Sequence, residues 1–461
     1  MVTKKWSRRK KRGAVKTDWE LGLSVMHPRA AGIDVGQGEH YVAVPPHLDR
    51  DQEPVRRFET FTADLHRLVG WLKACGIETV AMQSTGVYWI PLYELLAQER
   101  VQVFLVNARE TKNLPGRKTD VQECQWLLKL HVYGLLKNSF RPTEEICVLR
   151  ALWRQRQQHI ADASTCIQRM QKALIQMNVQ LANIISDITG KTGMAILKAI
   201  LEGERDPEKL AGFRDPNIKA SRQQIAHSLE GNWRKEHLFV LGQEVALLET
   251  YQDKIQECDQ AIQEHLQSLP VKGDLRQLPP AQKRATGNVP RHFDLRDELY
   301  AISGVDLTRI DGINVLVAQT LIAEVGLDMN RWPAEAHFAS WLGLCPDNRI
   351  SGGKVLKRGT RKVVCRAATA LRQAASTLLR SKTYLGAQYR RLRTKLGAPK
   401  AITAMAHKLA RLVYRMLKFG EEYVDRGMQY YEQRLRQQRI LALFRTANEL
   451  GLEVIQPTGG H

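Results

Sequence analysis

The chain has 461 residues, 43% of them hydrophobic, and a formal net charge of +21. This hydrophobic fraction is ordinary for a protein with packed cores, and the length suits about three domains. No run of eighteen apolar residues occurs, and no apolar segment follows the charged N-terminus, so we expect a cytoplasmic protein without a membrane span or secretory signal. The seven cysteines are scattered without a CxxC pair, which argues against a disulfide framework or a structural zinc site.

The positive charge is concentrated in two parts of the chain. Residues 1–16 hold eight Lys/Arg and no acid, and between Asn348 and Gly420 there are 19 Lys/Arg and no Asp or Glu. Together these segments carry +27, so the other residues have a net charge of −6. A folded stretch without acids predicts a surface that binds nucleic-acid phosphates, and the alternative is a generally basic, solvated surface.

After a basic arm at 1–28, residues 29–142 alternate strand and helix patterns. AAGIDVG, HYVAV and VRRFETF predict three strands. They are followed by a helix over 63–75, a strand at TVAMQS, a helix over 88–98, a strand at VQVFLVN, the polar connector ARETKNLPGRK and a helix over 120–131. Three strands followed by αβαβα is the order of an α/β RNase H-like fold with a mixed sheet.

The rest of the chain is predicted to be mainly helical. Residues 143–270 have the amphipathic pattern of two long antiparallel helices, a coiled-coil arm, with a loop at EGERDPEKLAGFRDPN. Residues 271–298 form a Pro/Gly-rich linker. Residues 299–420 form a basic helical domain with one Gly-rich interruption at 351–359, and residues 421–461 form a C-terminal helical tail.

Three acidic residues of the first domain are candidate metal ligands. Asp34 lies within the apolar strand AGIDVG, where a carboxylate is costly unless something such as a cation satisfies it. Asp120 and Glu123 lie three apart at the start of a helix and therefore share one face. Carboxylates from a strand and a helix could hold hard divalent ions for phosphodiester chemistry. For the helix pair alone, acids that favour a helix N-terminus are an equally simple explanation.

Two motifs of the C-terminal part could contact phosphate. LTRIDGINVLVAQTLIAEVG predicts a helix-hairpin-helix in which Gly312 allows the tight turn, although an ordinary helical hairpin fits the same pattern. In RISGGKVLKRGTRK, the pair Gly352 and Gly353 lets the backbone approach a substrate next to Ser351. The surrounding basic residues are Lys354, Lys357, Arg358, Arg361 and Lys362. Without a nearby base for Ser351, a phosphate-binding loop without chemistry remains open.

Taken together, these motifs resemble one family, the insertion-sequence transposases with an Asp-Glu-Asp-Asp RuvC-like domain and a C-terminal serine domain (the IS one-ten and IS eleven-eleven group). These are also described as bridge-RNA-guided recombinases. The matching stretches are GIDVG, MQSTGVYWIPLYELL, LVNARETKNLPGRKTDVQECQWLLKLHVYGLL and SGGKVLKRGTRK, in the family's order. The middle helical region matches only in character.

The resemblance implies a Mg²⁺ (or Mn²⁺) site at Asp34, Gln83, Asp120 and Glu123, and a nucleophilic Ser351 that forms a transient 5′-phosphoserine link with DNA. The sequence departs from the family pattern at Gln83, where Glu is expected, and at Glu123, where Asp is expected. Glu123 keeps its charge, whereas Gln83 could ligate the metal weakly or only shape the site. The resemblance also implies a homo-oligomer (dimer or tetramer), donor and target DNA, a non-coding bridge RNA and a nucleoid-associated location.

Three alternatives use the same residues differently. A RuvC-like nuclease or junction resolvase would need the carboxylates but not Ser351, because water would be its nucleophile. A nucleic-acid-binding protein with a decayed metal site would explain Gln83. An actin-like ATPase also has a strand like GIDVG, but the chain lacks a second Gly-rich phosphate loop with a matching Asp.

Overall fold

The structure is a computed structural model that describes residues 24–84, 86–107, 119–281, 287–357, 359–361, 363 and 365–454. Most of the basic arm, the whole polar connector, Arg358 and Lys362 lie outside the described residues. The chain divides into two compact units, the first ending at Arg141 and the second beginning at Pro142. No helix of the described part is both long and apolar enough to cross a membrane.

The first unit is built around a five-stranded mixed sheet in the order β3-β2-β1-β4-β5. The pairs β1–β2 and β2–β3 are antiparallel, and the pairs β1–β4 and β4–β5 are parallel. The strands are β1 (Ala30–Val35), β2 (Glu39–Ala43), β3 (Val55–Glu59), β4 (Thr79–Gln83) and β5 (Gln102–Val106). The helices are α1 (Thr62–Ala74), α2 (Ile90–Gln98) and α3 (Asp120–Val132). The predicted α/β order of this region is confirmed.

The two faces of the sheet bury different side chains. Ile33 and Met82 belong to the larger core, which also contains Leu68 of α1 and Leu92 of α2. Because side chains alternate along a strand, the next positions point to the opposite face. That face carries the smaller core formed by Ala30, Ala43, Cys124, Leu128 and Val132, so it is the face that α3 covers.

Gly32 allows α3 to pack unusually close to β1. A Cβ at this position would lie 2.3 Å from both the Cys124 carbonyl oxygen and the Leu128 backbone nitrogen. Real Cβ atoms do not approach backbone so closely, so only glycine fits without moving the helix. The close approach brings the first turn of α3 near the end of β1, where Asp34 lies.

The second unit begins with a long helical hairpin. Helix α4 (Glu144–Gln176) packs along a second long helix, and smaller helices between them close a shared apolar core. The remaining helices of this part are α5 (Leu181–Ile184), α6 (Lys191–Leu201), α7 (Pro207–Ala211), α8 (Arg222–Ser228) and α9 (Lys235–Ser268). The segment predicted as a loop thus contains α7, which Asp206 caps by accepting from the Glu208 N–H at 2.9 Å.

Side-chain contacts establish that α4 and α9 are antiparallel. At one end the His265 ring contacts the Glu145 carbonyl oxygen at 2.7 Å, and farther along Arg169 pairs with Glu244 at 3.3 Å. Between them lies the buried ion pair of Arg156 with Asp259, with Arg156 Nη2 at 3.2 Å from Oδ2. The predicted pair of long antiparallel helices is therefore present.

The C-terminal part is mostly helical, as predicted, but it contains a β-hairpin. Its helices are α10 (Leu295–Ser303), α11 (Val315–Val325), α12 (Glu335–Trp341), α13 (Arg366–Thr377), α14 (Tyr384–Leu396), α15 (Ala398–Phe419) and α16 (Gly427–Glu449). Strands β6 (Arg349–Ser351) and β7 (Lys354–Lys357) pair in a hairpin that overlaps the segment 351–359, predicted as a Gly-rich interruption. The Gly-Gly step there is a hairpin turn, which explains the difference.

Candidate active site

Two polar side chains lie at neighbouring strand ends on the α3 face of the sheet. β1 and β4 are parallel, and Ile33 is in register with Met82. The following residues, Asp34 and Gln83, therefore emerge side by side at the carboxyl ends of the two strands. Both point toward α3, because their predecessors point into the larger core. Asp34 is half-buried and Gln83 is buried, with 3% of its surface exposed.

The first turn of α3 supplies the remaining carboxylates. The helix is capped by Thr119, whose side chain accepts from the Gln122 N–H at 3.3 Å, so neither acid is used as the N-cap. Asp120 is exposed at the helix start, and Glu123 is half-buried one turn later. Gln83 Nε2 donates to Glu123 Oε2 at 3.4 Å. The structure therefore brings β4 and α3 into direct polar contact at the predicted position.

Electrostatic effects indicate that Asp34 and Asp120 act on the same small region. Burial raises the pKa of the Cys124 thiol to about 12, and the negative charges of Asp34 and Asp120 add to this rise. Burial and the neighbouring Glu39 raise the pKa of Tyr41, with a further contribution from Asp120. Tyr41 is the β2 residue in register with Asp34. The field of both carboxylates therefore reaches the β1–α3 contact.

The donor set has the chemistry of a site for a hard divalent cation. It consists of carboxylate oxygens and one amide oxygen, the ligands that Mg²⁺ prefers. Within the described ranges, no three His, Cys, Asp or Glu side chains are grouped closely enough to hold a metal ion by themselves. Mg²⁺ usually binds proteins through one or two carboxylates together with water and substrate phosphates, so an open set of this kind fits it.

Ser351 lies at the end of β6, next to the two-residue turn of the hairpin. Gly352 and Gly353 both have positive φ, at 54° and 75°, and Ser351 pairs with Lys354 across the turn. This is the arrangement for which adjacent glycines are favoured. All four residues are exposed, so the hydroxyl of Ser351 is open to a large substrate.

The basic residues around Ser351 are only partly described. Arg361 donates to the Ser340 carbonyl oxygen and, at 3.2 Å, to the Ser340 hydroxyl, which anchors the chain after the hairpin to the end of α12. Lys354 is exposed at the start of β7. Lys357 has a described backbone position but no described side chain, and Arg358 and Lys362 lie outside the described residues.

Gly312 occupies a tight turn just before α11, and other residues of the second unit pack closely around it. Its φ is +90°, and a Cβ there would lie 2.8 Å from the Ala374 carbonyl oxygen of α13. The preceding Asp311 accepts hydrogen bonds from Ser381 and, at 2.7 Å, from Thr383. Leu307–Arg309 is a 3₁₀ turn, so the helices on the two sides of the segment are α10 and α11. Close packing thus already requires glycine here.

Two residues that position the site were not identified from the sequence. Gly32 sets the distance between β1 and α3, and Thr119 caps α3 in place of the acids. Both have a sequence signal, because Gly32 lies two residues before Asp34 in the same strand and Thr119 directly precedes the helix. The reason for a glycine at position 32 becomes clear only when the helix that packs across it, α3, is known.

Two family models match the chain. A transposase model, DEDD transposase of the IS110 type, matches residues 31–179, and a model described as Transposase IS116/IS110/IS902 family matches residues 306–390. The first range contains Asp34, Gln83, Asp120 and Glu123, and the second contains Ser351 and Gly312. Together they cover about half of the chain. No curated protein matches it.

Proposed function

This chain belongs to the IS116/IS110/IS902 family of insertion-sequence transposases, enzymes that cut and rejoin DNA, and from that premise we propose how its residues do so. Residues 29–142 form a RuvC-like domain of the RNase H-like fold, which the strand order β3-β2-β1-β4-β5 supports. The arm at 143–270 serves assembly. After the linker at 271–298, residues 299–420 form the serine domain, including a helix-hairpin-helix around Gly312.

The acidic site of the RuvC-like domain holds a divalent cation, with Mg²⁺ as the natural ion and Mn²⁺ as a substitute. Asp34 and Glu123 are its central ligands, Asp120 contributes from the exposed helix start, and Gln83 offers its amide oxygen. The observation that carries this proposal is the contact of Gln83 with Glu123, next to the strand end from which Asp34 emerges. A cation bound there would stabilise negative charge on a phosphoryl group.

Ser351 is the nucleophile of the DNA-cutting step. Its Oγ attacks the phosphorus, the bond from phosphorus to the 3′ oxygen breaks, and the DNA 5′ end stays joined to the serine as a phosphoserine. The acidic site of another protomer of a dimer or tetramer takes up the serine proton, and the departing 3′ oxygen is protonated to a free 3′ hydroxyl. The exposed position of Ser351 beside the tight Gly-Gly turn supports this role. Lys354, Arg361 and their basic neighbours hold the flanking phosphates.

A non-coding bridge RNA guides the choice of donor and target DNA, and the protein is associated with the nucleoid. The acid-free stretch between Asn348 and Gly420 supports RNA as well as DNA binding, because the backbone phosphates of both carry the same charge. Sequencing the nucleic acid that co-purifies with the full chain tests this part. A small RNA encoded beside the gene is the expected result, and its absence from active preparations would contradict RNA guidance.

The covalent link offers a direct test of the serine step. The full chain, with its co-purified nucleic acid, is incubated with labelled DNA and Mg²⁺ and run on a denaturing gel. We expect a protein–DNA adduct that Ser351→Ala abolishes and that Ser376→Ala, a change of another serine of the same unit, leaves intact. Cleavage without any adduct would instead assign a nuclease that uses water, and binding without cleavage would assign a protein with a decayed site.

A further inference from the structure

The second unit contains a basic groove, most of whose residues come later in the chain than the Ser351 hairpin. It is formed by α14, α15, α16 and the segment that joins the last two helices. Its main part is a cavity of about 530 Å³, and a second depression of about 270 Å³ shares Tyr384, Lys408 and Arg434 with it. The first volume alone is within the usual range of ligand sites.

The walls of this groove carry more cations than anions. Three carboxylates, Glu335, Glu421 and Glu422, face five basic side chains, which are Lys408, Arg411, Arg415, Arg426 and Arg434. Glu335 is paired with Arg411 at 2.8 Å, and Glu421 is paired with Arg415 at 2.9 Å. Among the described residues, neither Lys408 nor Arg434 has an ion-pair partner. Arg426 has no ion-pair partner among these residues either, and it donates to the Tyr430 hydroxyl at 2.8 Å. The excess positive charge is therefore carried by Lys408, Arg426 and Arg434.

Lys408 is a residue of the groove whose positive charge a bound anion would stabilise. It is half-buried and lines both parts of the groove. Burial lowers the pKa of its ammonium group, and the nearby Arg411, Arg434 and Arg415 lower it further, against the opposing effect of Glu335. Holding a cation in such a position costs free energy, which a bound anion would recover.

Tyrosines are interleaved with these cations. Tyr384 lines both parts of the groove and packs edge-on against Tyr431 with ring centroids 4.9 Å apart. Tyr430 keeps 37% of its surface exposed at the rim, and the Arg426 guanidinium lies 5.2 Å from its ring centroid. A simple phosphate site needs no aromatic surface. Alternating cations and aromatic rings are typical of surfaces that hold unpaired nucleotides, with phosphates on the cations and bases stacked on the rings.

We propose that this groove binds a single-stranded segment of nucleic acid, with Lys408 and Arg434 holding backbone phosphates and Tyr430 stacking on a base. The site is separate from Ser351 and from the carboxylates of the first unit in its residues and its chemistry. It retains strands rather than reacting with them. Lys408, Tyr430 and Arg434 also lie outside the residue ranges that the family models match.

Binding of short fluorescent oligonucleotides to the full chain, measured by anisotropy in EDTA, tests the groove. The probes are a dT twelve-mer, a U twelve-mer and a DNA duplex of equal length. We expect Lys408→Gln with Arg434→Gln to weaken single-strand binding about tenfold or more and to reduce the salt slope by about 1.4. The control, Lys172→Gln with Lys219→Gln, removes the same charge from exposed positions of the second unit that lie outside the acid-free stretch, and it should change affinity less than threefold.

Stacking is tested separately at Tyr430. Tyr430→Ala should weaken single-strand binding by about fivefold or more, whereas Tyr430→Phe should keep it. Equal losses in the groove and control variants, equal losses for duplex and single strands, or no loss with Tyr430→Ala would each overturn the proposal. A preference of the parent for U over dT assigns RNA as the occupant, and the reverse assigns DNA. Ser351→Ala should bind all probes like the parent, so failure here is distinguishable from failure of the serine mechanism.

Discussion

Gln83 donates a hydrogen bond to Glu123 across 3.4 Å, which joins the end of β4 to the first turn of α3. An amide can satisfy a carboxylate in this way without any cation, whereas two carboxylates at the same distance would repel each other. The family resemblance implies Glu where this chain has Gln83. The chain therefore joins β4 to α3 by a hydrogen bond at a position where the resemblance implies another charge.

Replacing Gln83 with Glu should make the first unit depend on a divalent cation. In EDTA the variant loses a hydrogen bond to a charged group, which costs about 1.5–3 kcal/mol. Adding Mg²⁺ should then raise the melting temperature of Gln83→Glu more than that of the parent, because ligand binding stabilises the folded state. Gln102→Glu, which adds the same charge at the exposed first residue of β5, is the control. A Mg²⁺ response no larger than the control's would remove Gln83 from the metal site.

Gly32→Ala should destabilise the first unit because α3 cannot stay in place. The added methyl would lie 2.3 Å from the backbone of Cys124 and Leu128, so the helix must shift. Overpacking of this kind costs about 1–3 kcal/mol or more. Urea unfolding measures the loss, and Gly38→Ala is the matched control because nothing lies within 4 Å of its Cβ. A Gly32→Ala variant as stable as the control would show that α3 does not need this close approach.

His131 should make the first unit less stable in mild acid. Burial lowers its pKa from the ordinary 6.5 to about 4, and the stacked His27 ring contributes, with centroids 4.7 Å apart. Between about pH 6.5 and pH 4, His131 is protonated in the unfolded chain but stays neutral in the folded chain. The free energy of unfolding is therefore highest above pH 6.5 and decreases as the pH falls to about 4.

The variant His131→Gln isolates this effect. It keeps a polar partner for the Thr79 hydroxyl, which lies 2.9 Å from the His131 ring nitrogen, but it cannot take up a proton. Unfolding free energies measured between pH 7 and pH 4 should therefore fall less steeply for the variant than for the parent. Identical slopes would mean that other groups cause the acid sensitivity.

The turn beside Ser351 should tolerate only residues that accept positive φ. Gly352 has a φ of 54° and open space around its Cβ position, so backbone conformation rather than crowding limits the side chain. Asn is accepted in this region and is favoured before Gly in hairpin turns, whereas a β-branched residue is not. We expect Gly352→Asn to retain adduct formation near the parent's level and Gly352→Val to reduce it by about five- to thirtyfold, since about 1–2 kcal/mol of strain falls on the turn. Similar activities for the two variants would contradict this reason for the glycine.

The elements of the first unit were predictable because their signals are local. Apolar residues alternate along each strand, and the helix over Asp120–Val132 begins with a cap and acids. The hairpin at Arg349–Lys357 was missed because its strands are short and mostly polar, so Gly352 and Gly353 resembled a loop. The contact between Gln83 and Glu123 joins residues 40 positions apart, and no local pattern specifies it. The choice of Asp34, Asp120 and Glu123 as metal ligands stays a prediction, whereas the close packing at Gly32 and the cap at Thr119 could be seen only in the packed structure.

Two arginines of the acid-free stretch form ion pairs, and these pairs affect how steeply the affinity for nucleic acid falls as the salt concentration rises. Arg411 and Arg415 lie within that stretch, yet each is matched by an acid from outside it, Glu335 and Glu421. A cation that is already neutralised releases no counterion when a polyanion arrives. The steepness of affinity against salt should therefore correspond to fewer phosphate contacts than the 19 basic residues of the stretch suggest, and opening either pair by Glu335→Gln or Glu421→Gln should make it steeper.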